Sequence, residues 1–192
     1  MTARDGYMEN AMRIEPTWLA TVESESGVKV SACYQCKKCT VGCPLTFAMD
    51  IYPDQVIRLV QMGQRERVLA CNTIWVCSGC ETCTTRCPNA VDVAGIMDYL
   101  KETAIRSGME IPQPKTYVFH RAFLNEIRRR GRVFEAGLVG TYLRESGELK
   151  AKLEDKTLGE ELALGWAMFK KGRMRLFPKG IKGKTEIREI LK

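Results

Sequence analysis

Eight of the nine cysteines fall into two copies of one spacing, C-x2-C-x2-C-x3-C-P. The first copy, CYQCKKCTVGCP, holds Cys33, Cys36, Cys39 and Cys43 with Pro44. The second, CSGCETCTTRCP, holds Cys77, Cys80, Cys83 and Cys87 with Pro88, at an offset of 44 residues. This is the spacing of runs that bind [4Fe–4S] clusters. A cubane presents four iron corners, and each takes one soft thiolate. Three cysteines at intervals of three let one short loop curl around a cluster and reach three corners. The fourth, followed by proline, leaves the loop in another direction and in two-cluster proteins ligates the other cluster. The expectation is therefore two [4Fe–4S] clusters, one held by Cys33, Cys36, Cys39 and Cys87, the other by Cys77, Cys80, Cys83 and Cys43. Zinc is the alternative. Structural zinc sites usually pair two C-x2-C knuckles across a longer stretch, whereas each run here adds a third cysteine at the same interval and a C-x3-C-P exit.

A redox compartment follows from the rest of the chain. The first thirty residues contain no apolar signal core, and the longest apolar run, LALGWAMF, has eight residues where a bilayer needs ~20. The expectation is a cytoplasmic protein without a membrane span, whose thiols stay reduced. The formal charge of +7 is unevenly spread. Residues 1–114 carry 11 Lys+Arg against 13 Asp+Glu, and residues 115–192 carry 19 against 10. An acidic cysteine zone thus precedes a basic, cysteine-free one, which gives a boundary between domains 1–110 and 111–192.

The flanks of the runs read as helices. Asp50 is placed to cap IYPDQVIRLVQMG, with Val56, Leu59 and Val60 on one apolar stripe and Gly63 at its end. Asp92 is placed to cap VAGIMDYLKETAIRSG, where Val93, Ile96, Met97, Leu100 and Ala104 recur at helical spacing and Gly108 stops it. Each unit is a cysteine loop feeding a helix, so the fold class is all-α. Before the runs, EPTWLATVESESG reads as a helix with Pro16 in its first turn and Gly27 at its end, packed over the first cysteine loop. Ile111 to Tyr117 reads as a linker, because two prolines discourage a continuous helix. A helix closing on Arg128, Arg129, Arg130 and Gly131 follows. Then comes RVFEAGLVGTYLRESG at helical spacing, and a segment opened by a capping box of Thr157 and Glu160 and closed by Gly172.

Several residues carry a bland reading beside a functional one. Cys71, outside both runs, reads as a small buried hydrophobe. Lys37 and Lys38 either bias the first cluster toward easier reduction or are solvated loop lysines; Glu81 and Arg86 give the second run no net bias. Trp75, Pro44 and Pro88 read as shields against water. His120, the sole histidine, reads as a packed or surface residue. No nucleophile–base pair or phosphate-binding loop occurs, so no catalytic residue is expected. The tail RMRLFPKGIKGKTEIREILK is either a solvated basic segment or a docking element; a nucleic-acid role is weak, because acids are interspersed and no aromatic RNA motif is present.

The segments CYQCKKCTVGCP, NTIWVCSGCETCTTRCPNAVDV and FHRAFLNEIRRRGRVFE resemble the C-type subunits of heterodisulfide reductases, members of the α-helical ferredoxins. The resemblance covers residues 15–145 well and the tail less firmly. It implies an α-helical ferredoxin domain with a helical extension for subunit docking, and an iron–sulfur subunit that relays electrons. The partners it implies are a flavin-containing A-type subunit and a cysteine-rich, disulfide-reducing B-type subunit, in a complex coupled to flavin-based electron bifurcation. Related subunits of succinate and fumarate dehydrogenases normally carry further cysteines before the first run, and none precedes Cys33.

Overall fold

The structure, a computed structural model, describes residues 13–155, 158–173 and 181–191. Among these every regular element is an α-helix or a short 3-10 turn, so the fold is all-α. The chain divides into two compact units between Gln113 and Pro114.

In the first unit, α1 (Trp18–Ser26) buries Trp18 and Val22 and stops at Gly27, whose positive φ of 71° lets its N–H close on the Glu23 carbonyl. Pro16 lies in the turn before this helix, two residues ahead of its first helical residue. The helix packs on the 3-10 turn Val30–Ala32 that leads into Cys33, and the Glu23 carboxylate accepts the Ser31 N–H at 2.6 Å. The short helix α2 (Lys38–Val41) lies within the first cysteine run. Then α3 (Pro53–Gln61) opens on proline at its first position and buries Val56, Ile57, Leu59 and Val60. Gly63 follows at φ 70°. A Cβ there would collide with the Glu15 carbonyl oxygen, while the Glu15 N–H bonds to the Gly63 carbonyl at 2.9 Å.

Two short helices, α4 (Arg65–Leu69) and α5 (Thr73–Val76), lead to the second run; α6 (Thr82–Thr85) lies inside it. The unit ends with α7 (Val93–Arg106), where Asp92 accepts the Gly95 N–H at 2.9 Å as predicted. Val93, Ile96, Met97, Leu100 and Ala104 are all buried. Together with α1, α3, α4 and Ile74 they form the core, each large aliphatic contributing roughly 1.5–3 kcal/mol by leaving water.

Asp50 does not cap α3. Its carboxylate accepts the N–H groups of Ile51 (2.9 Å), Asn72 (2.8 Å) and Thr73 (3.0 Å) and the Thr73 hydroxyl (2.8 Å). It thus satisfies the free amides at the start of α5, the helix that ends at Cys77. Proline at the first position of α3 has no N–H to offer, and the Gln55 side chain takes the Tyr52 amide.

In the second unit α8 (Pro114–Arg130) begins at the second proline, so the expected linker is cut short and Lys115–Tyr117 are helical. A proline suits the first helical position because its φ is preset and its missing N–H would have no partner there. After Gly131, at φ 79°, follow α9 (Glu135–Glu145) and α10 (Glu148–Glu154), then α11 (Leu158–Lys170) and α12 (Lys184–Ile190). Ion pairs Lys115–Glu148 and Arg121–Glu145, both 2.6 Å, tie α8 to its neighbours. Glu126, 3% exposed, takes Arg130 at 2.9 Å. Helix α12 packs on α8 through Arg188, which donates to the Arg128 carbonyl. Neither α10 nor α12 is marked in the sequence, since their short apolar runs are broken by charges. Thr157 and residues 174–180 of the tail lie outside the described residues, and Gly172 follows α11 at φ 64°. Among the described residues no helix is long and apolar enough to cross a membrane.

Candidate metal centre

The two runs share one backbone path. Cys33 ends the 3-10 turn and Cys77 ends α5. Gln35 (φ 64°) and Lys37 (φ 62°) then take left-handed conformations, matched at the 44-residue offset by Gly79 (φ 65°) and Glu81 (φ 58°). For a residue with a Cβ this conformation costs roughly 1–2 kcal/mol. Three of the four carry one, so strain is concentrated where the loop curls. Each loop ends in a four-residue helix, α2 or α6, that presents the third cysteine.

A hydroxyl clasp then ties each loop to the helix behind it. Thr40 bonds to the Asp54 carboxylate, and the Asp54 N–H donates back to the Thr40 oxygen at 3.1 Å. In the second copy Thr84 donates to Asp92 at 2.8 Å and takes the Ala94 N–H at 3.1 Å. The same helices hold the loop entrances: Gln61 of α3 donates to the Cys33 carbonyl at 3.0 Å, and Lys101 of α7 donates to the Cys77 carbonyl at 3.1 Å.

The thiols stand around two cavities. One is lined by Cys33, Cys36, Cys39 and Cys87, with Gln35, Lys37, Lys38 and Asp54 among its other walls. The second is lined by Cys43, Cys77, Cys80 and Cys83, with Glu81, Pro53 and Met97. Each cavity therefore gathers three cysteines of one run and the last cysteine of the other. Val93, 3% exposed, lines both. Among the described residues no three His, Cys, Asp or Glu side chains converge as on a single metal ion; the thiols surround a space instead. Four separated thiols around one space fit a body with four iron corners better than one tetrahedral ion.

The surroundings of the sulfurs differ. Cys33 Sγ accepts from the Gln35 amide and side chain, both at 3.4 Å, and Cys87 Sγ from the Val91 amide at 3.3 Å. At the second cavity Cys80 pairs with the Thr82 hydroxyl at 3.4 Å, which lowers its thiol pKa. Burial, then the charge of Asp54, pushes the Cys39 thiol up to about 11. Burial also raises Cys77 and Cys83. Such thiols ionise readily only when a cation takes the place of the proton, which couples loading to proton release. Cys36 and Cys80 are exposed.

Arg86 departs from its expected place. Gly42 has no side chain, and a Cβ there would meet Arg86 Cδ and Nη1 at 2.9 Å. Arg86 therefore leaves its own run, crosses α2 and lines a groove with Cys36 and Lys38. Lys37, Lys38 and Arg86 all stand on the first-cavity side, while Glu81 faces the second. Trp75 is 3% exposed on α5, and Pro44 and Pro88 follow the last cysteine of each run. Cys71 is 3% exposed in the core, with its thiol pushed up to about 11, first by burial. It lines neither cavity. His120 lies on α8 with its ring 6.3 Å from Phe119. The two threonine clasps and Gln35 do not stand out in the sequence, although Thr40 and Thr84 sit at the 44-residue offset and aligning the copies brings them together.

Comparison with known proteins bears on the same stretch. Residues 29–91, which contain all eight repeated cysteines, match the family described as a 4Fe-4S dicluster domain. Over 110 residues the chain is 26% identical to the C-type subunit of the H(2):CoB-CoM heterodisulfide,ferredoxin reductase of Methanothermobacter marburgensis, covering 56% of this chain and 60% of that protein. It is 30% identical over 95 residues to the C-type iron-sulfur subunit of the CoB--CoM heterodisulfide reductase of Methanopyrus kandleri, covering 50% and 47%. It is 35% identical over 91 residues to the C2-type subunit of the H(2)/formate:CoB-CoM heterodisulfide,ferredoxin reductase of Methanococcus maripaludis, covering 47% and 49%. The chain thus spans about half to three-fifths of the length of these three relatives. Its cofactors are two [4Fe–4S] clusters, and over about half its length it resembles the C-type subunits of heterodisulfide reductases, as its motifs implied.

Proposed function

We propose that this chain is the electron-relay subunit of a cytoplasmic heterodisulfide reductase-type complex. It would pass single electrons between a flavin-containing A-type subunit and a disulfide-reducing, cysteine-rich B-type subunit. The observation that carries the reading is the crosswise gathering of thiols around two adjacent cavities. In it Cys33, Cys36, Cys39 and Cys87 hold one [4Fe–4S] cluster, and Cys77, Cys80, Cys83 and Cys43 the other. Each cluster supplies a site that takes up and gives back one electron. The chain's own residues do the rest. The threonine clasps and the Gln61 and Lys101 contacts fix both loops, so little needs to rearrange when the charge changes. Val93 keeps the shared wall dry, and the amides of Gln35 and Val91 offset negative charge on sulfur. The unit from Pro114 onward, basic and helical, serves as the extension that docks onto neighbouring subunits. Any coupling to electron bifurcation belongs to the whole complex.

The test is anaerobic purification with metal analysis. The reading expects a brown protein with about eight irons per chain and absorption near ~400 nm. Cys87→Ala should impair the cluster of the first run, and Cys43→Ala that of the second, as read by electron paramagnetic resonance of the reduced protein. A colourless preparation with stoichiometric zinc would establish the zinc-module alternative. Impairment of the second cluster by Cys87→Ala would show each run closing on itself.

A further inference from the structure

We propose that the groove formed by Cys36, Lys38, Val41 and Arg86 is the docking surface for an acidic redox protein, and the gate through which it reaches the first cluster. The inference rests on the relay reading above and adds to it a transient partner outside that complex, with the face and the charge this partner meets.

Four observations converge on this face. The groove is open, with a volume of about 400 Å³, and one of its four lining residues is a cysteine that also lines the first cavity. A partner seated there would lie against a thiol of the redox site with no intervening side chain. The remaining lining is two cations and one apolar residue: Lys38, Arg86 and Val41, the last 84% exposed. Tyr34, in the same loop and close to Cys36 and Cys33, is 60% exposed. Large apolar side chains left in water beside a reactive edge are the composition of a contact surface.

The charge comes from two different runs. Lys38 belongs to the first, while Arg86 is brought over from the second because Gly42 leaves room for it. Among the described residues no acidic side chain lines the groove. The corresponding acid in the repeat, Glu81, stands at the second cavity. The two ends of the relay are thus charged oppositely at their mouths. An opposite potential speeds encounter and selects the partner by sign, with long-range effects that salt suppresses. A small patch of this kind suits a transient redox encounter rather than a permanent interface.

The experiment measures binding, with the full cluster-loaded chain and two probes of opposite charge: an acidic flavodoxin and a basic cytochrome c. The flavodoxin should bind, and its affinity should fall by about tenfold or more between ~20 and ~200 mM salt. The double variant Lys38→Glu/Arg86→Glu should weaken flavodoxin binding about tenfold and flatten the salt dependence. Val41→Asp should weaken it as well. The control pair Arg67→Glu/Arg106→Glu removes the same charge; Arg106 stands at the far end of α7, ~20 Å along the helix from Val93, Arg67 stands on α4, whose Arg65 bonds to Ser107 just past that end, and this pair should leave binding within about twofold. Iron content and helical circular dichroism check that each variant is loaded and folded. Equal losses in the groove pair and the control pair would overturn the inference, since attraction would then follow net charge alone. So would wild-type flavodoxin binding in the groove pair, or cytochrome c binding that depends on Arg86. If the chain carried zinc and still bound flavodoxin through the groove, the relay reading would fall and the surface would stand.

Discussion

Replacing Asp50 by alanine separates the scaffold from the ligands, because Asp50 touches no cysteine run directly yet holds the approach to the second one. Its carboxylate accepts three backbone N–H groups and one hydroxyl, and two of those amides belong to the start of α5, which delivers Cys77. Loss of a helix-capping side chain costs about 0.5–2 kcal/mol. Asp50 is partly exposed, so water replaces some of the lost bonds, and we expect about 1–2 kcal/mol. Because cluster loss is irreversible, the quantity to measure is a rate: bleaching of the absorption near ~400 nm in denaturant, without oxygen. If the clasp opens before the cluster is lost, bleaching accelerates about 5–30-fold. The pH dependence has a definite sign. Burial alone would raise the Asp50 pKa, but the amide of Asn72, then Thr73 and Ile51, outweigh it and hold the carboxyl below its ordinary value. Its stabilisation is therefore complete above the unfolded value of about 3.9 and is lost as pH falls through the lower folded value. The rate ratio of variant to wild type should stay constant near neutrality and shrink on acidification. Bleaching within about twofold of wild type, or a ratio that widens in acid, would refute the reasoning.

Other outcomes follow from the same contacts. The first cluster should be the easier to reduce, given the cations of Lys37, Lys38 and Arg86 on its side and Glu81 at the second; a site-resolved redox titration showing the reverse order would contradict this. Gln35→Leu removes one donor to Cys33 and should lower that potential by roughly 20–40 mV, taking about 0.5–1 kcal/mol for the bond and 59 mV per tenfold for one electron. Gly63→Ala meets both a positive φ and the Glu15 carbonyl, so it should destabilise the first unit by more than about 1 kcal/mol in thermal unfolding. Leu100→Ala empties a fully buried site and should cost about 2–5 kcal/mol by the same measurement.

The long helices were legible because their signals are local. The stripe from Val93 to Ala104 and the Asp92 cap required only period and cap chemistry, and the structure buries every one of those positions. Asp50 misled because an acid before a helix reads as its cap, while the proline at the first position of α3 leaves fewer amides to serve; the carboxylate turned to amides 22 and 23 residues away. Arg86 could not be placed from its own run, since its position depends on an absent side chain at Gly42 in the other. The left-handed conformations of Gln35, Lys37 and Glu81 were also hidden, because non-glycine residues seldom adopt them and the sequence carries no mark of the curl. The eight cysteines stand out by spacing alone, and the C-x3-C-P exits already point to a crosswise sharing; the walls around them, Asp54, Val93 and Met97, come from tertiary packing.

The exchange of last cysteines between the two cavities has a consequence for how the protein is made. As the chain leaves the ribosome, the first cavity lacks its fourth wall until Cys87 has been synthesised, and the second lacks its third run member until Cys83. The two sites therefore become whole within four residues of each other. A nascent chain has no stage at which one is finished well before its twin, and a fragment ending before Cys83 would own neither.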